Sequence, residues 1–517
     1  MTKLPLILGA AAGIPAAAAA QTGVAKPNIV IIMADQMRAD LCAREGFPLD
    51  LTPFLDKMAK EGAWFDRAYT TAPASVPART SMMTGRWPNA TRVRSNHNIN
   101  DAVYGKDIFM TAREHGYKTA LIGKNHTYLT PDRVDYWSVY DHVGKQGKNK
   151  TAGDAKFDDF LKSTAMYASF DKGSPGGVEE QQPYRIVSEA TRWVAQNKDN
   201  PFLMLVSFPE PHNPYQVCEP YFSMFPPDRL PACRTDTSAF ARLDGRYRQL
   251  SQMMNAATGY LANLDKLRSV YMGMIRLEDD QIKRFIDEVV KTGVYDNTVF
   301  IFLADHGDYA GEYGLMKKGV GMSDPLARIP FVVWGKGVEK SGLREAHISI
   351  ADLYPTICEA IGAEIPMGVQ GRSLWPMLSG KPYPEEEFAS VMVEDGYGGQ
   401  YYTAKDGTDY KAEGCITDQK NFFDELNTWT QSGSRRMLRE GDWKLVYDMT
   451  GRGELYNLRQ DPSEIDNLFG KAQYQDVQGR LMGDMMRWAI STEDPLPIPQ
   501  HRYIFKRYPH NYLFCPE

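Results

Sequence analysis

The 517-residue sequence lacks several features that would point to common classes of protein. Its formal net charge is −6, and a chain without an overall basic field does not collect nucleic-acid phosphates. It has only six cysteines and no Cys-x-x-Cys pair, which disfavours a zinc knuckle. Beyond the first 20 residues it has no run long and apolar enough to cross a bilayer. We therefore expect no nucleic-acid partner and no membrane span.

The N-terminus carries the one long apolar run. Lys3 precedes LPLILGAAAGIPAAAAA and then Gln21, which gives a short positive start, an apolar stretch and a small-residue cleavage site. This pattern predicts a secretory signal peptide at residues 1–20 and export, to the periplasm of a Gram-negative bacterium. Exported proteins form disulfides, and Cys218 and Cys233, which bracket a proline-rich loop, are the predicted pair.

Short apolar runs rich in β-branched residues alternate with helical patterns along the first three quarters of the chain. This alternation predicts an α/β fold in which a large mixed, mostly parallel sheet is sandwiched by helices. Long irregular inserts near 141–180 and 213–260 interrupt the alternation, and loops of that length are usually functional or disordered. The runs interpreted as buried parallel strands are 28–35, 117–124, 202–208, 297–305 and 330–335.

The pattern changes after about residue 385. The stretch MLREGDWKLVYDMTGRGELYNLRQDP is typical of antiparallel strands joined by tight turns, and DVQGRLMGDMMRWAIS is typical of a helix. We therefore predict a main α/β domain over residues 27–385. A smaller α+β domain built on an antiparallel sheet is predicted over residues 386–517.

Polar side chains follow four of the predicted strands. In open α/β sheets ligands bind beyond the carboxyl ends of the strands, so these side chains are expected to meet at one edge. Each alone is typical of a helix cap or a turn, but their convergence favours a functional site. Its oxygen-rich donors suit one divalent cation, Ca²⁺, Mg²⁺ or Mn²⁺, and the single imidazole tilts the choice slightly away from pure Ca²⁺ chemistry. Ca²⁺ is still the first expectation, with Mg²⁺ or Mn²⁺ as alternatives. The residues concerned are Asp35, Gln36, Lys124, His126, His212, Asp305 and His306.

The segment ASVPARTSMMTGR, residues 74–86, begins a predicted helix. Ser75 lies near its N-terminus and Pro77 in its first turn, which a plain N-cap explains. A cap does not explain Arg79 one turn later, whose guanidinium binds oxyanions in a bidentate manner. Together with the acids and the lysine at the sheet edge, the segment predicts a pocket for a tetrahedral anion beside a metal.

SVPAR followed by TGR resembles the signature of the formylglycine-dependent sulfatases, members of the alkaline-phosphatase-like superfamily. The resemblance covers most of the chain and implies that fold, with a sulfuric ester hydrolase activity. The other segments that carry it are NIVIIMADQMRADL, TPFLDKMAKEGAWFDRAY, GYKTALIGKNH, LADHGDYAGEYGLMKKG, ISIADLYPTICEAIG, GVQGRSLWPMLSG, GDWKLVYD and ELYNLRQDPSEIDNL.

The resemblance also implies a role for each matching residue. Ser75 would be oxidised to formylglycine, whose hydrate attacks sulfur. Arg79 and Lys124 would hold the diol and the sulfate, and His126 would assist sulfate release. His212 and Lys318 would contact the sulfate, with His212 as an acid for the leaving oxygen. The implied metal ligands are Asp35, Gln36, Asp305, His306 and the modified Ser75.

The sequence departs from commoner members of that family in three places. Ser75 stands where Cys is usual, so maturation would need a serine-type formylglycine-generating enzyme. Gln36 and His306 stand where Asp and Asn are frequent, and this set also resembles the phosphonate monoester hydrolases. Lys124 with His126 favours a sulfatase. A catalytically inactive carbohydrate-binding protein with the same fold is the alternative of another class.

The segment RWPNATRVRSNHNIN after the nucleophile is basic, within an acidic protein, which suggests a polyanionic sugar substrate. Resemblance to exported glycosaminoglycan enzymes favours removal of 2-O-sulfate from a terminal uronate of heparan or chondroitin sulfate fragments. A 6-O-sulfatase or an arylsulfatase is the alternative. SRRMLREGDWK, with Arg435, Arg436 and Lys444, either closes the pocket or forms a surface turn. The predicted substrate-binding residues, whose alternative is a solvated loop, are Arg92, Arg94, Asn96 and His97.

Overall fold

The computed structural model describes residues 26–147, 150–165, 167–401, 430–493 and 510–512. The predicted signal peptide lies outside these residues. Among them, no helix has both the length and the apolar character that a membrane span requires.

The strands form a nine-stranded sheet, a two-stranded sheet and a four-stranded sheet within the described residues. In chain order they are β1 (Asn28–Asp35), β2 (Ala63–Phe65), β3 (Ala68–Tyr69), β4 (Lys118–Lys124), β5 (Tyr136–Asp141), β6 (Gly144–Lys145), β7 (Phe202–Pro211), β8 (Thr298–Ala304), β9 (Phe331–Gly335), β10 (Gly342–Arg344), β11 (Ile348–Ser349), β12 (Ser390–Gly398), β13 (Gly433–Glu440), β14 (Trp443–Asp448) and β15 (Gly453–Asn457).

Helices lie on both faces of the large sheet, and one helix packs on the four-stranded sheet. The helices within the described residues are α1 (Pro53–Glu61), α2 (Ser75–Thr84), α3 (Pro88–Thr91), α4 (Ile108–Glu114), α5 (Ala152–Ser163), α6 (Gln182–Asn197), α7 (Tyr221–Met224), α8 (Gly245–Thr258), α9 (Leu264–Thr292), α10 (Asp324–Ala327), α11 (Leu353–Ala360), α12 (Trp375–Leu378) and α13 (Gln475–Thr492). The longest of them, α9, has 29 residues and begins shortly after the second irregular insert.

The large sheet has the order β10-β2-β9-β8-β1-β7-β4-β5-β6. Its central strands β8, β1, β7 and β4 run parallel, and every residue of β1 is buried. Helices on both faces require apolar side chains on both faces of a strand, which explains the continuous apolar runs. The prediction of a mixed, mostly parallel sheet sandwiched by helices is confirmed.

The prediction that residues 330–335 form a parallel strand is wrong. β9 runs antiparallel to β8, with Leu303 opposite Phe331 and Val299 opposite Gly335. The connection between them stays at the carboxyl edge of β8, where Gly307 N donates to Leu326 O. A chain that turns back at the same edge must run antiparallel, and a buried apolar run does not reveal the direction.

The four-stranded sheet is antiparallel, in the order β12-β13-β14-β15. The predicted antiparallel strands correspond to β13, β14 and β15, and the predicted helix corresponds to α13. The sequence pattern did not reveal β12. Leu481 and Met485 of α13 pack on Leu438, Leu445 and Leu455 of the sheet. The antiparallel C-terminal sheet is thereby confirmed, while the proposed domain boundary at residue 385 stays a prediction.

The predicted disulfide between Cys218 and Cys233 is wrong, because both thiols are free. Cys218 is buried in the apolar core. Cys233 instead lies beside the loop that follows β8, with its Sγ 3.9 Å from Ala310 O. The loop between the two cysteines carries them to different neighbours, which proximity in sequence does not predict.

Candidate active site

The carboxyl ends of neighbouring strands bring the predicted polar residues to one edge of the large sheet. Asp35 is the last residue of β1 and Lys124 the last residue of β4. His212 follows β7, and Asp305 follows β8. Since these four strands are adjacent in the sheet, segments far apart in sequence meet there.

The hydroxyl of Ser75 points into this edge. Ser75 is the first residue of α2, and its Oγ lies 3.0 Å from His306 Nε2 and 3.4 Å from Asp35 Oδ1. It does not cap its own helix; instead, Asn96 Oδ1 accepts a hydrogen bond of 3.0 Å from Val76 N. Because Asn96 satisfies this amide, the Ser75 hydroxyl is left for the site. The plain N-cap interpretation of Ser75 is therefore excluded.

Two carboxylates and one imidazole form a cluster beside Ser75. One ligand atom each from Asp35, Asp305 and His306 lies within 4.8 Å of the others, and all three residues are buried. His306 Nδ1 donates to Gly307 O at 3.0 Å, so the lone pair of Nε2 faces the cluster. Two hard oxygen donors and an oriented imidazole fit one divalent cation.

Gln36 adds an amide to this cluster through an unusual backbone conformation. Its φ of 66° is rare for a residue other than glycine, and its N–H donates to Asp305 Oδ1 at 2.9 Å. Its Oε1 accepts from Lys318 Nζ at 2.9 Å, and its Nε2 donates to Asp308 Oδ2 at 2.7 Å. The amide oxygen of Gln36, predicted as a metal ligand, is therefore shared with Lys318.

Three cationic side chains surround the two carboxylates. Arg79 Nε donates to Asp305 Oδ2 at 2.8 Å, and Arg79 Nη1 donates to Ser207 Oγ at 2.9 Å. Lys124 Nζ forms a close ion pair with Asp35. With Lys318, these residues give three positive charges against two negative ones, which is the balance required to attract an anion.

Burial raises the pKa of a carboxyl group and lowers the pKa of an amine or an imidazole, and nearby charges decide the net shift of each group at this site. Burial raises the pKa of Asp35, but Lys124 and Arg79 outweigh it and hold the value well below the usual range. Burial lowers the pKa of Lys124 to about 8, and that of His306 to about 4. At neutral pH His306 is therefore uncharged, and its Nε2 accepts a hydrogen bond from the Ser75 hydroxyl.

Three further histidines line the edge, and the sequence identified two of them. His126 and His212 are half-buried. Loss of solvent around each ring, and then the positive charge of nearby residues, lowers the pKa of both imidazoles. His142 is new: its Nε2 accepts from Lys124 Nζ at 3.0 Å, and its ring stacks on His212 with centroids 3.8 Å apart. The only signal in the sequence was the position of His142 in an irregular insert.

The residues predicted to bind substrate separate into two groups. Arg94 and Asn96 lie on the site side of the loop after α3: Asn96 contacts the start of α2, and Arg94 Nη2 donates to Ser434 Oγ of β13 at 3.0 Å. Arg92 and His97 are exposed, and their role in binding stays a prediction.

Of the three basic residues predicted in the segment SRRMLREGDWK, only Arg436 lies near this loop. Lys444 is buried in ion pairs with Asp324 and Glu464, which makes it a structural residue. Arg435 forms a buried ion pair with Asp395. Alternation along β13 places Arg436 on the same face as Ser434 and therefore beside Arg94.

Glu210, near the end of β7, gives a prediction about stability. Burial raises the pKa of this carboxyl to about 8, so folding stability should fall as pH rises from the unfolded pKa of about 4.5 towards 8. We expect Glu210→Gln to raise Tm by a few degrees near pH 8.5, with a gain that shrinks towards zero near pH 5. Thermal unfolding of both proteins across this range measures it, and a pH-independent difference would contradict the assignment.

This edge supports hydrolysis of an ester of a tetrahedral oxyanion. A buried hydroxyl lies beside a candidate metal site, and the surrounding side chains carry more positive than negative charge, which stabilises an oxyanion. The fold and the site thus define an ester hydrolase of the mixed-sheet α/β class. The sulfatase family model matches residues 27–363, and the chain belongs to the sulfatase family. It is accordingly a sulfuric ester hydrolase.

Relatives span nearly the whole chain. An arylsulfatase of Clostridium perfringens is 27% identical over 484 residues, which are 87% of this chain and 92% of the relative. A phosphonate monoester hydrolase of Agrobacterium radiobacter has a TM-score of 0.71 at 22% identity, with 90% and 96% coverage of the two chains. A 2-O GAG sulfatase has a TM-score of 0.67 at 18% identity, with 91% and 93% coverage. These two structures share the fold.

Proposed function

We propose that this sulfatase hydrolyses a sulfate ester on a carbohydrate through a formylglycine made from Ser75, with one divalent cation, Ca²⁺ before Mg²⁺ or Mn²⁺. The preferred substrate is a 2-O-sulfated terminal uronate of a glycosaminoglycan fragment. One observation carries the proposal: the Ser75 hydroxyl lies within 3.4 Å of both Asp35 and His306, at the edge where the three cations converge.

Maturation converts the hydroxymethyl group of Ser75 to an aldehyde. The oxidation removes two electrons and two protons, and a serine-type formylglycine-generating enzyme with its own electron acceptor carries it out. The predicted signal peptide directs the chain to the periplasm. Addition of water to the aldehyde gives a geminal diol, which offers one oxygen for attack and a second for release of product.

One diol hydroxyl gives its proton to Asp35, whose Oδ1 lies 3.4 Å from Ser75 Oγ, and its oxygen forms a bond to sulfur. The bond from sulfur to the sugar oxygen breaks at the same time, and His212 protonates the departing alkoxide. His126 then accepts the proton of the second hydroxyl, the aldehyde re-forms, and sulfate leaves. Burial keeps His212 neutral in the free enzyme. A bound sulfate ester offsets the charge of Lys318 and Lys124, which raises the pKa of His212 towards the range of a proton donor.

Fixed positive charge stabilises the transition state. Arg79, Lys124 and Lys318 are held by Asp305, Asp35 and Gln36, so they need little reorganisation as charge builds on the sulfo oxygens. The cation, held by Asp35, Asp305, His306 and Gln36, would supply Lewis-acid polarisation. These groups stabilise the negative charge that develops in the transition state, which lowers the barrier to ester cleavage.

A second function, phosphonate monoester hydrolysis, is favoured by one observation. Gln36 and His306 stand in the cluster where the sulfatase resemblance expects Asp and Asn, and a phosphonate monoester hydrolase shares the fold. Lys124 and His126 favour the sulfatase. A catalytically inactive carbohydrate-binding protein is disfavoured, because the site retains its nucleophile, its cationic residues and its histidines.

The test is a substrate panel with protein co-expressed with a serine-type maturation enzyme. Defined disaccharides sulfated at the uronate 2-O or hexosamine 6-O position, an aryl sulfate and an aryl phosphonate are compared by kcat/KM. We expect the 2-O-sulfated uronate to rank first. Turnover of the 6-O-sulfated hexosamine alone would refute the regiochemistry, and preference for the phosphonate would establish the second function.

His142 should be a positioning residue for the two groups that it contacts. His142→Ala removes the acceptor for Lys124 Nζ and the ring stacked on His212, and we expect kcat to fall about 10²-fold with a smaller change in KM. Because His212 protonates the leaving oxygen, the loss should be larger for sugar sulfates than for 4-nitrophenyl sulfate, whose leaving group needs no proton.

His115→Ala is the matched control, since His115 precedes β4, at the end of the strand opposite to Lys124, and its Nδ1 is bonded to Thr111 O. His142→Gln, which keeps an acceptor but loses the stacked ring, should recover part of the activity. Equal losses on sugar and aryl sulfates would show that His142 does not act through His212.

A further inference from the structure

Two arginines from different parts of the chain meet beside the nucleophile segment without belonging to the sulfate pocket. Arg94 Nη2 donates to Ser434 Oγ at 3.0 Å, and Arg436 Nη1 donates to the same oxygen at 3.2 Å. Like charges this close repel each other, and Arg436 is one cause, after burial, of the lowered pKa of Arg94. Such a pair is stabilised by an anion.

The protein only partly supplies that anion. Among the residues that the structure describes, Arg94 forms no ion pair, and Ser434 is the one side chain to which its guanidinium donates. Arg436 Nε lies 3.5 Å from Glu394 Oε1. Glu394 therefore pairs with Arg436 alone, and the other guanidinium nitrogens of Arg94 have no hydrogen-bond acceptor among the described residues.

Hydrogen bonds within the protein fix the backbone of the two segments that carry these arginines, the loop after α3 and strand β13. Asn98 Oδ1 accepts from Arg94 N at 3.1 Å, and Asn98 Nδ2 donates to Arg92 O at 2.6 Å, so one side chain organises the loop. Arg436 lies on β13, paired to β12 opposite Glu394. Contacts within the protein therefore hold the backbone at both arginines.

Hydrogen bonds also connect both of these regions to the segment around Ser75. Asn96, two residues and at most about 7 Å of chain beyond Arg94, bonds to Val76 N. Glu394 N donates to Thr71 O at 2.8 Å, four residues before Ser75. The segments that carry the two arginines are therefore bonded to the chain on either side of Ser75.

We propose that Arg94 and Arg436 form a carboxylate-binding subsite that recognises the uronate carboxylate of the sulfated sugar. This inference rests on the proposed function and explains its substrate class. A planar carboxylate matches the flat guanidinium fork, which donates two parallel hydrogen bonds. The scissile sulfate has its own cations in Arg79, Lys124 and Lys318, so these two arginines are available for a different group.

The subsite is tested by measuring the binding of two ligands to the Ser75→Ala variant, which cannot hydrolyse them. The probes are the 2-O-sulfate of 4-nitrophenyl glucuronide and its methyl ester, which differ only in the charge of the carboxylate. We expect the acid to bind about 10- to 100-fold more tightly by calorimetry. Adding Arg94→Ala or Arg436→Ala should bring this ratio close to one, and Arg94→Lys should restore part of it.

Arg459→Ala is the matched control, because this exposed arginine lies after β15 and pairs with Asp442; it should leave the ratio intact. A ratio near one in the starting background, or an unchanged ratio in both variants, overturns the subsite. Tighter binding of a 2,6-disulfated glucoside than of the acid would assign the pair to a second sulfate and also overturn it.

The proposed function is judged separately from the subsite. Matured wild-type enzyme is assayed on 4-nitrophenyl sulfate and on the sulfated disaccharides. Absence of sulfate release from the disaccharides rejects the carbohydrate function. Sulfate release together with a binding ratio near one rejects only the carboxylate subsite.

Discussion

Ser75→Ala abolishes turnover: we expect kcat to fall at least about 10³-fold on every sulfate ester, because the variant has no oxygen to attack sulfur and cannot be oxidised to an aldehyde. The hydroxyl is buried between His306 and Asp35, and no other described hydroxyl has this position. Loss of Oγ also removes one oxygen that would face the cation. Turnover is measured with 4-nitrophenyl sulfate and a 2-O-sulfated disaccharide.

Ser81→Ala is the matched control on the same helix. Ser81 is buried, its Oγ has no hydrogen-bond partner among the described residues, and its removal should leave activity within about threefold. Mass spectrometry of the peptide that contains Ser75 should show the loss of two hydrogen atoms in active preparations. Full activity in Ser75→Ala would disprove the assignment of the nucleophile.

Ser75→Cys separates the role of the side chain from that of maturation. With a serine-type maturation enzyme alone, this variant should be nearly inactive, and co-expression with a cysteine-type enzyme should restore activity, since both routes end in the same aldehyde. Activity that follows the presence of unmodified Ser75 rather than of the aldehyde would exclude the formylglycine mechanism while leaving Ser75 as the nucleophile.

Asp305→Asn is the second substitution with a very large expected effect. Both Asp305 oxygens are used: Oδ1 accepts from Gln36 N and His306 N, and Oδ2 accepts from Arg79 Nε. An amide group turns an N–H towards one of these donors and removes the nearer of the two carboxylates that balance the buried charge of Arg79. We expect the free energy of unfolding to drop by about 3 kcal/mol.

The same substitution should weaken binding of the divalent cation and lower kcat/KM at least about 10³-fold. Metal content by elemental analysis and Tm with and without a chelator measure the binding separately from turnover. A chelator should lower the Tm of the wild-type protein and have little effect on the variant. Asp296→Asn, at an exposed turn just before β8, is the control. Unchanged metal content in Asp305→Asn would exclude Asp305 as a ligand.

Much of the fold was predictable because its signals are local. Continuous apolar runs mark strands that are covered on both faces, and four of the five predicted runs are the parallel centre of the sheet. The fifth, β9, has the same composition and the opposite direction. Direction depends on the path of the connection, which an apolar run does not encode.

The sequence by itself determined the residue types of the site. The strand ends fixed Asp35, Lys124 and Asp305 at one edge, because carboxyl ends of adjacent parallel strands must coincide. The SVPAR segment supplied Ser75 and Arg79. These choices follow from periodicity, covalent spacing and motif, which are properties of short segments.

Only the tertiary structure decided how these residues are used. It replaced the N-cap role of Ser75 by a contact with His306, because Asn96 from a later loop caps the helix instead. It added His142 from an insert and paired Arg94 with Arg436 across more than 300 residues of chain. Contacts between distant segments depend on how the whole chain packs, and no local pattern records them.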